Sequence, residues 1–596
     1  MQPYKSNIEN IIYSQRNIAA FISSGWTAIT DIILNLFKNS YPEQKNIIIG
    51  FDGYLSNDWL RIIDEITLRI KEKKIHLSLF DVRDCMKSKK DIDTLIDSSL
   101  PEGEPVFGKK YKGGMDHFYS KDKLLALASA LKLAPGKSEL DGSLTICYGP
   151  GSLLAPLSRI YDLAFYFDLT REEALKRNKA WTDKKSKTQT IGPRRIYYVD
   201  FPVYDRQRKR AFPYIDYYID TNDNDNPKIL GKSYLLELID EVVKSPLRIK
   251  PLYEPGVWGG QWLKRNRGLP DSMINCAYGL EIIAPEQSIL AVAGGTCLEL
   301  PFNLLMENSC DRIMGTHACR RYRKEFPIRV AYDDTWEGAN LSIQDHPTSK
   351  YMKSYFNENL HQAEMYYIFD TYPDSIVHLG LKEDADKEEF LQAARKSEAE
   401  RKPFDHTRFV NVLPAKKGSI YLIPPGTVHG AGANELVLEI SSTSYRYTFK
   451  IYDYCRPDLD GTFRPIHIDH AFNVIKFFRK EKWVSENLTP EPKEYRKRTT
   501  EKGSWTEYTL ADRREFYHIV HRVEFDSWYE DTTDKGFHIL NLVEGDIVSV
   551  RSLTNPEKTR DMAMSETVLL PKAVGPYEVI NKGKKPCKIV KVFLRV

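Results

Sequence analysis

What the chain lacks narrows its function before any motif is considered. Net charge is almost absent: 86 basic residues face 82 acidic ones, a formal +4. No field of one sign is available to recruit nucleic acid or an anionic membrane, so neither is expected as a partner. Apolar runs never approach the ~20 residues that span a bilayer. The polar stretch Met1–Asn17 lacks the apolar core and small-residue cleavage site of a signal peptide. The eight cysteines (Cys85, Cys147, Cys276, Cys297, Cys310, Cys319, Cys455 and Cys587) form no CxxC pair. That spacing argues against a disulfide framework or a thiolate zinc knuckle, and a reducing, cytoplasmic setting is expected.

At 596 residues the chain exceeds the roughly 250–300 residues at which one core stops growing, so two or three domains are expected. The first third alternates apolar runs (Asn46–Phe51, Ile75–Phe80, Ser143–Tyr148, Leu163–Asp168) with helical stretches such as Trp59–Lys71. Continuous apolar runs of that length predict buried parallel strands in an α/β domain over 1–244. The loop after the first run, Gly50-Phe51-Asp52-Gly53-Tyr54, sits where a P-loop would, without Gly-Lys-Ser/Thr. No kinase or ATPase activity is expected of it. The layout is similar to nucleoside-kinase-like proteins at the level of fold, making this a degenerate P-loop-like domain. A cluster of Arg194, Arg195, Arg206, Arg208, Lys209 and Arg210 reads as a solvated basic face.

From about Ser245 short strands, Gly/Pro turns and tyrosines predominate, the texture of an antiparallel β-barrel or jelly roll over 245–485. A charged stretch, Lys482–Lys502, reads as a linker. A second small β-barrel is expected over 504–596. Its His518 and His521, three apart on one strand, face opposite ways, and with His538 they are read as structural.

Chemistry concentrates in the middle domain. In Asn340–Pro347, Ser342, Gln344 and His346 share one strand face while Leu341 and Ile343 point to the other. Glu364 opens the apolar run Glu364–Thr371, and Tyr421–Gly430 ends a strand, turns at Pro425-Gly426 and presents His429. Two imidazoles, a carboxylate and an amide from three strands suit a catalytic metal site with an open position, unlike the cysteine-closed structural kind.

Gln344-Asp345-His346-Pro347, His361-Gln362-Ala363-Glu364 and Ile423-Pro424-Pro425-Gly426-Thr427-Val428-His429 resemble the QxHP, (H)xxE and IPxGxxH motifs of type I phosphomannose isomerases. Val257-Trp258-Gly259-Gly260 and Ile451-Tyr452-Asp453-Tyr454-Cys455-Arg456 resemble the flanking Trp-Gly-Gly and YDxxR segments. The resemblance spans about 247–480. It implies a cupin barrel, Zn²⁺ on Gln344, His346, Glu364 and His429, and interconversion of mannose 6-phosphate and fructose 6-phosphate through an enediolate.

For the proton carrier it offers His361, with Glu439 in Leu436–Ile440 as the competing carboxylate. Three positions depart from the family. Lys450 stands where an arginine is usual, Arg446 where an Asp is frequent, and Gln362 where some relatives have Lys. Lysine does not replace arginine at a bidentate site. The cation is therefore expected at Lys450 or Arg446. Two alternatives stay open: another sugar, or a zinc-binding sugar-phosphate sensor without turnover.

Overall fold

The computed structural model describes residues 7–13, 17–40, 46–73, 75–133, 142–183, 192–444 and 446–595. The chain divides into two compact units, one of Ile11–Glu241 with Leu290–Asn308, the other of Met1–Asn10, Val242–Ile289 and Ser309–Val596.

The apolar runs of the first third become strands of one seven-stranded sheet. Its strands are β1 (Ile22–Ser24), β2 (Asn46–Gly53), β3 (His76–Asp81), β4 (Ser143–Tyr148), β5 (Leu163–Asp168), β6 (Tyr217–Asp220) and β7 (Lys228–Gly231), in the order β1-β7-β6-β5-β2-β4-β3. Strands β3, β4, β2, β5 and β6 are mutually parallel, and β7 and β1 close the edge antiparallel. Helix Trp59–Lys71 explains itself: Asp58 caps Arg61 N, and Trp59, Ile62, Ile63, Ile66 and Ile70 form the buried stripe against the sheet.

The loop after β2 is closed by its own carboxylate. Asp52, fully buried, accepts hydrogen bonds from Gly53 N (2.8 Å), Gly151 N (2.8 Å), Leu153 N (3.0 Å) and Gln207 Nε2 (2.7 Å). Amides that would suit a phosphate already serve an internal anion.

The basic cluster is not the solvated face expected from sequence. Arg208 is 1% exposed and reaches Glu307 (3.0 Å) and Asp168 (3.5 Å). Arg194 donates to the carbonyls of Phe107 and Pro101, and Arg206 to those of Tyr111 and Gly113. Of the six, Lys209 and Arg210 are exposed. Charge counting cannot tell an arginine that staples loops from one that meets solvent.

The second unit carries two barrels. The first is built from β8 (Leu252–Glu254), β9 (Tyr278–Ile282), β10 (Ile328–Asp334), β11 (Ile343–Asp345), β12 (Glu364–Thr371), β13 (Ile376–Leu381), β14 (Val410–Pro414), β15 (Ile420–Ile423), β16 (His429–Ala431), β17 (Glu435–Ser442) and β18 (Phe449–Tyr452). They form two sheets, β15-β12-β17-β10-β9-β8 and β14-β13-β16-β11-β18.

The stretch Lys482–Lys502, read as a linker, is ordered as helix Glu481–Asn487 and strand β19 (Lys493–Thr500). An edge strand with one polar face carries the same composition as a linker. With β20 (Gly503–Ala511), β21 (His518–Phe525), β22 (Trp528–Thr532), β23 (His538–Glu544), β24 (Ile547–Ser552), β25 (Thr559–Ala563), β26 (Thr567–Leu570), β27 (Pro576–Asn581) and β28 (Cys587–Leu594) it makes the C-terminal barrel. Its sheets run β19-β20-β21-β28-β23-β26 and β22-β27-β24-β25. Cys310 and Cys319 are disulfide-bonded, contrary to the expectation from spacing. The chain reverses at Gly315 (φ +88°), bringing two cysteines on successive helices to a Cα separation of 5.7 Å.

Candidate active site

The site lies inside the first barrel, where register decides which side chains meet. Residues directly opposite in an antiparallel pair share a face. Gln344 lies opposite both His429 and Lys450, so one sheet presents these three together. On the other sheet Ser441 lies opposite Glu364 and Arg329, and Glu439 opposite Tyr366 and Ala331.

The loops are tied to each other. Gly426 N donates to His346 O at 2.8 Å, joining the QDHP and IPPGTVH segments. Arg479 Nη1 clamps the turn, donating to Pro424 O and Pro425 O at 2.8 Å and to Thr427 Oγ1 at 2.5 Å. Gly426 has φ +80°, and a Cβ there would stand 2.4 Å from Val474 O, so the turn requires glycine.

His346, Glu364 and His429 are buried, and one ligand atom from each lies within 4.8 Å of the others. His346 Nε2 is 2.9 Å from Glu364 Oε1, and His429 Nε2 is 3.1 Å from Glu364 Oε2. No hydrogen bond satisfies His346 Nε2 or Glu364 Oε2. The opposite ring nitrogens face backbone carbonyls, His429 Nδ1 at 2.9 Å from Thr427 O and His346 Nδ1 at 3.4 Å from Tyr447 O. A carbonyl beside Nδ1 selects the Nδ1–H tautomer and leaves the Nε2 lone pair pointing at a carboxylate. Lone pairs facing each other at that distance fit a cation between them, as in carbonyl-anchored histidine ligands. This is a possible three-residue metal site.

Gln344 joins the cluster by its amide: Nε2 is 3.4 Å from His429 Nε2, and Oε1 accepts from Ser342 Oγ at 2.9 Å. Coordination through Oε1 takes the amide turned over, with Ser342 then accepting from Nε2. Gln362 donates to Glu364 Oε1, orienting the carboxylate.

Glu439 accepts from Ser441 Oγ at 2.7 Å and lies 3.4 Å from Arg329 Nη1. Burial raises its pKa, opposed by Arg329. Beside it Asp333, wholly buried, is pushed well up by burial and by Glu439. Arg329 and Asp333 escaped the sequence reading. Their signal was the alternation in Ile328–Asp334, where Arg329, Ala331 and Asp333 share a face.

His361 is held elsewhere: Nδ1 is 2.5 Å from Ser349 Oγ and 2.7 Å from Tyr517 Oη, the latter from the C-terminal barrel. Burial lowers its pKa. Lys450 is half-buried, its pKa pulled down to about 8 by burial and by Arg464. Arg464 in turn pairs with Asp453 at 3.2 Å. Arg446 and Arg329 both act on Glu254, whose pKa burial raises and the two arginines lower.

Residues 25–244 match the family described as Domain of unknown function (DUF8485). The chain is 28% identical over 254 residues to a protein of Bacillus subtilis (strain 168) named probable mannose-6-phosphate isomerase GmuF, covering 42% of this chain and 73% of that one. It is 28% identical over 232 residues to mannose-6-phosphate isomerase ManA of the same organism, covering 39% and 68%. The crystal structure of mannose 6-phosphate isomerase from Bacillus subtilis superposes with a TM-score of 0.47 at 20% identity, covering 59% of this chain and 100% of that one. Mannose-6-phosphate isomerases are thus the homologues of about 40% of the chain, at modest identity.

Proposed function

We propose that the first barrel is an aldose–ketose isomerase site that interconverts mannose 6-phosphate and fructose 6-phosphate, with Gln344, His346, Glu364 and His429 holding one divalent metal, zinc by family resemblance. The observation that carries the reading is the convergence of two carbonyl-anchored imidazoles on one buried carboxylate without hydrogen bonds between them. The named relatives support the choice of sugar phosphate.

In this reading Glu439 is the proton carrier in preference to His361. Its carboxylate stands among the inward-facing groups of the metal-bearing sheets, whereas the Nδ1 of His361 is engaged by Ser349 and Tyr517. Glu439 takes the C2 proton of mannose 6-phosphate, leaving an enediolate, and delivers it to C1 as the remaining hydroxyl proton passes from O2 to O1. Burial raises the basicity of Glu439, and Arg329 keeps it ionised, the combination a general base needs. A bound divalent ion supplies Lewis-acid stabilisation of enediolate charge. Lys450 and Arg446 supply cations for the phosphate.

Turnover of mannose 6-phosphate, read by an assay coupled to fructose 6-phosphate, tests the proposal. Metal-loaded protein that turns over no hexose phosphate would sink it in favour of a sensor.

A further inference from the structure

The C-terminal barrel, read from sequence as structural, holds a cavity of about 300 Å³ at one end. That volume is at the lower bound of small-molecule sites. Its floor is the barrel's own interior. Ile519, His538 and Phe593 come from three neighbouring strands and lie opposite one another in register, so all three face inward. Its wall is supplied by Met314, Ala318 and Tyr322, and by Phe537, which is 1% exposed and rings against Phe326 at 4.7 Å.

The rim differs in kind. His317, Arg321, Lys535 and Lys572 stand at it, and no aspartate or glutamate lines the cavity among the described residues. Among the described residues neither Lys535 nor Lys572 makes an ion pair, whereas Lys585 pairs with Asp546 and Lys588 with Glu544. Lys572 is placed at the mouth by its neighbour: a Cβ on Gly315 would lie 3.1 Å from Lys572 Cδ.

The floor also holds a polar group. His538 is 92% buried by the 8% exposure of the residue, and its Nδ1 is tied to Tyr577 Oη at 2.9 Å. Its other ring nitrogen has no hydrogen-bond partner among the described residues, and the ring lines the cavity. An apolar, ring-lined chamber with one hydrogen-bonding atom at its floor and uncompensated cations at its mouth has a definite complement.

From this geometry we infer that the C-terminal barrel binds a small organic anion: a ring-sized apolar body in the chamber against Phe593 and Phe537, and a carboxylate or phosphate at Lys535 and Lys572. A hexose phosphate does not fit the description, because its hydroxyls would be desolvated against aromatic walls. The inference stands apart from the isomerase reading.

Calorimetric titration of the full chain with benzoate, phenyl phosphate, benzyl alcohol and fructose 6-phosphate tests it. Saturable one-to-one binding of benzoate or phenyl phosphate is expected, with benzyl alcohol and fructose 6-phosphate at least about tenfold weaker, the scale of a lost charge-assisted contact. Which anion binds tighter separates carboxylate from phosphate. The double variant Lys535→Ala/Lys572→Ala changes side chains at the rim only, and should weaken the anion at least about tenfold with an unchanged melting temperature. Ile519→Trp should fill the chamber and abolish binding. Absence of saturable anion binding, equal binding of benzyl alcohol, or an unaltered affinity in the double lysine variant would overturn the inference.

Discussion

The two barrels of the second unit both carry charge inside and finish it in opposite ways. In the C-terminal barrel Glu507 meets His521 (2.6 Å), Lys591 (2.5 Å) and Arg496 (2.6 Å), while Asp531 meets Lys591 (2.6 Å) and Arg496 (2.8 Å) and accepts from Tyr529 Oη (2.6 Å). Each acid has its base, and the network is closed. In the first barrel His346 Nε2, Glu364 Oε2 and both carboxylate oxygens of Asp333 are buried without a hydrogen bond. Unsatisfied buried groups are costly, so a cluster of them marks a place built for something else, while a closed network marks scaffold. The C-terminal barrel has unsatisfied atoms too, at both ring nitrogens of His518, Trp505 Nε1, Trp528 Nε1 and Arg522 Nε, but among its described residues no carboxylate oxygen is one of them.

The largest expected effects fall on the unfinished interior. His346→Ala and His429→Ala should each reduce bound metal from one per chain to nearly none, measured by elemental analysis, and abolish turnover. Stoichiometric metal in both variants would erase the contrast between the barrels. Glu439→Gln should retain metal and lower kcat by about 10²–10⁴, the usual worth of a positioned proton carrier. If His361→Gln is damaged that far and Glu439→Gln is not, the roles are reversed.

The closed network should fail by stability instead. Lys591→Met removes one of the two cations that Glu507 and Asp531 share and leaves both to Arg496, and denaturant titration should show a loss of about 3 kcal/mol with metal content unchanged. A smaller effect follows from pH. His538 and His518 have folded pKa values pulled down to about 3 by burial, far below the free imidazole value of about 6.5. Their contribution is complete above about pH 6.5 and is lost as pH falls toward 3, because only the unfolded chain takes up the proton. Glu507, lowered to about 2, acts in the same direction at more acid pH.

The α/β unit has the other sign. Asp52, Asp168, Asp200 and Asp220 are each raised to about 6 by burial, so their contribution is present below the unfolded value of about 3.9 and lost as pH rises through 6. Hydrogen exchange at pH 7 and pH 4.5 should show protection falling in the C-terminal barrel while the α/β unit holds or gains. A common slope in both would refute it. The smallest effect is expected at Lys450, where Ala should raise KM by about tenfold and leave kcat within about twofold, because its ammonium, acted on by Arg464 and Asp453, is assigned to the phosphate and not to the reacting carbons.

Strands and their faces were largely legible. Runs such as Ser143–Tyr148 and Leu163–Asp168 begin and end where the strands do, because a strand buried on both faces reads as a near-continuous apolar run, with few polar residues within it. The shared face of Ser342, Gln344 and His346 followed from the period of two. Hidden from the sequence was whatever depends on partners distant along the chain. Arg208 reads as basic surface until Glu307, ninety-nine residues on, is seen beside it. Asp333 carries no signal of its own until β17 brings Glu439 alongside. The charged stretch before the C-terminal barrel reads as linker because an edge strand and a tether have the same composition.

The bond from Tyr517 Oη to His361 Nδ1, at 2.7 Å, ties the orientation of a side chain in one barrel to the fold of the next. The second barrel is then no detachable passenger. A recombinant chain that exchanged it for a homologous one would inherit Gln344, His346, Glu364 and His429 untouched, and would keep the present orientation of His361 only if the newcomer brought a hydroxyl to the place of Tyr517. In such chimaeras Tyr517→Phe is the minimal graft failure: one oxygen removed, both barrels kept, and the Nδ1 of His361 left with Ser349 Oγ.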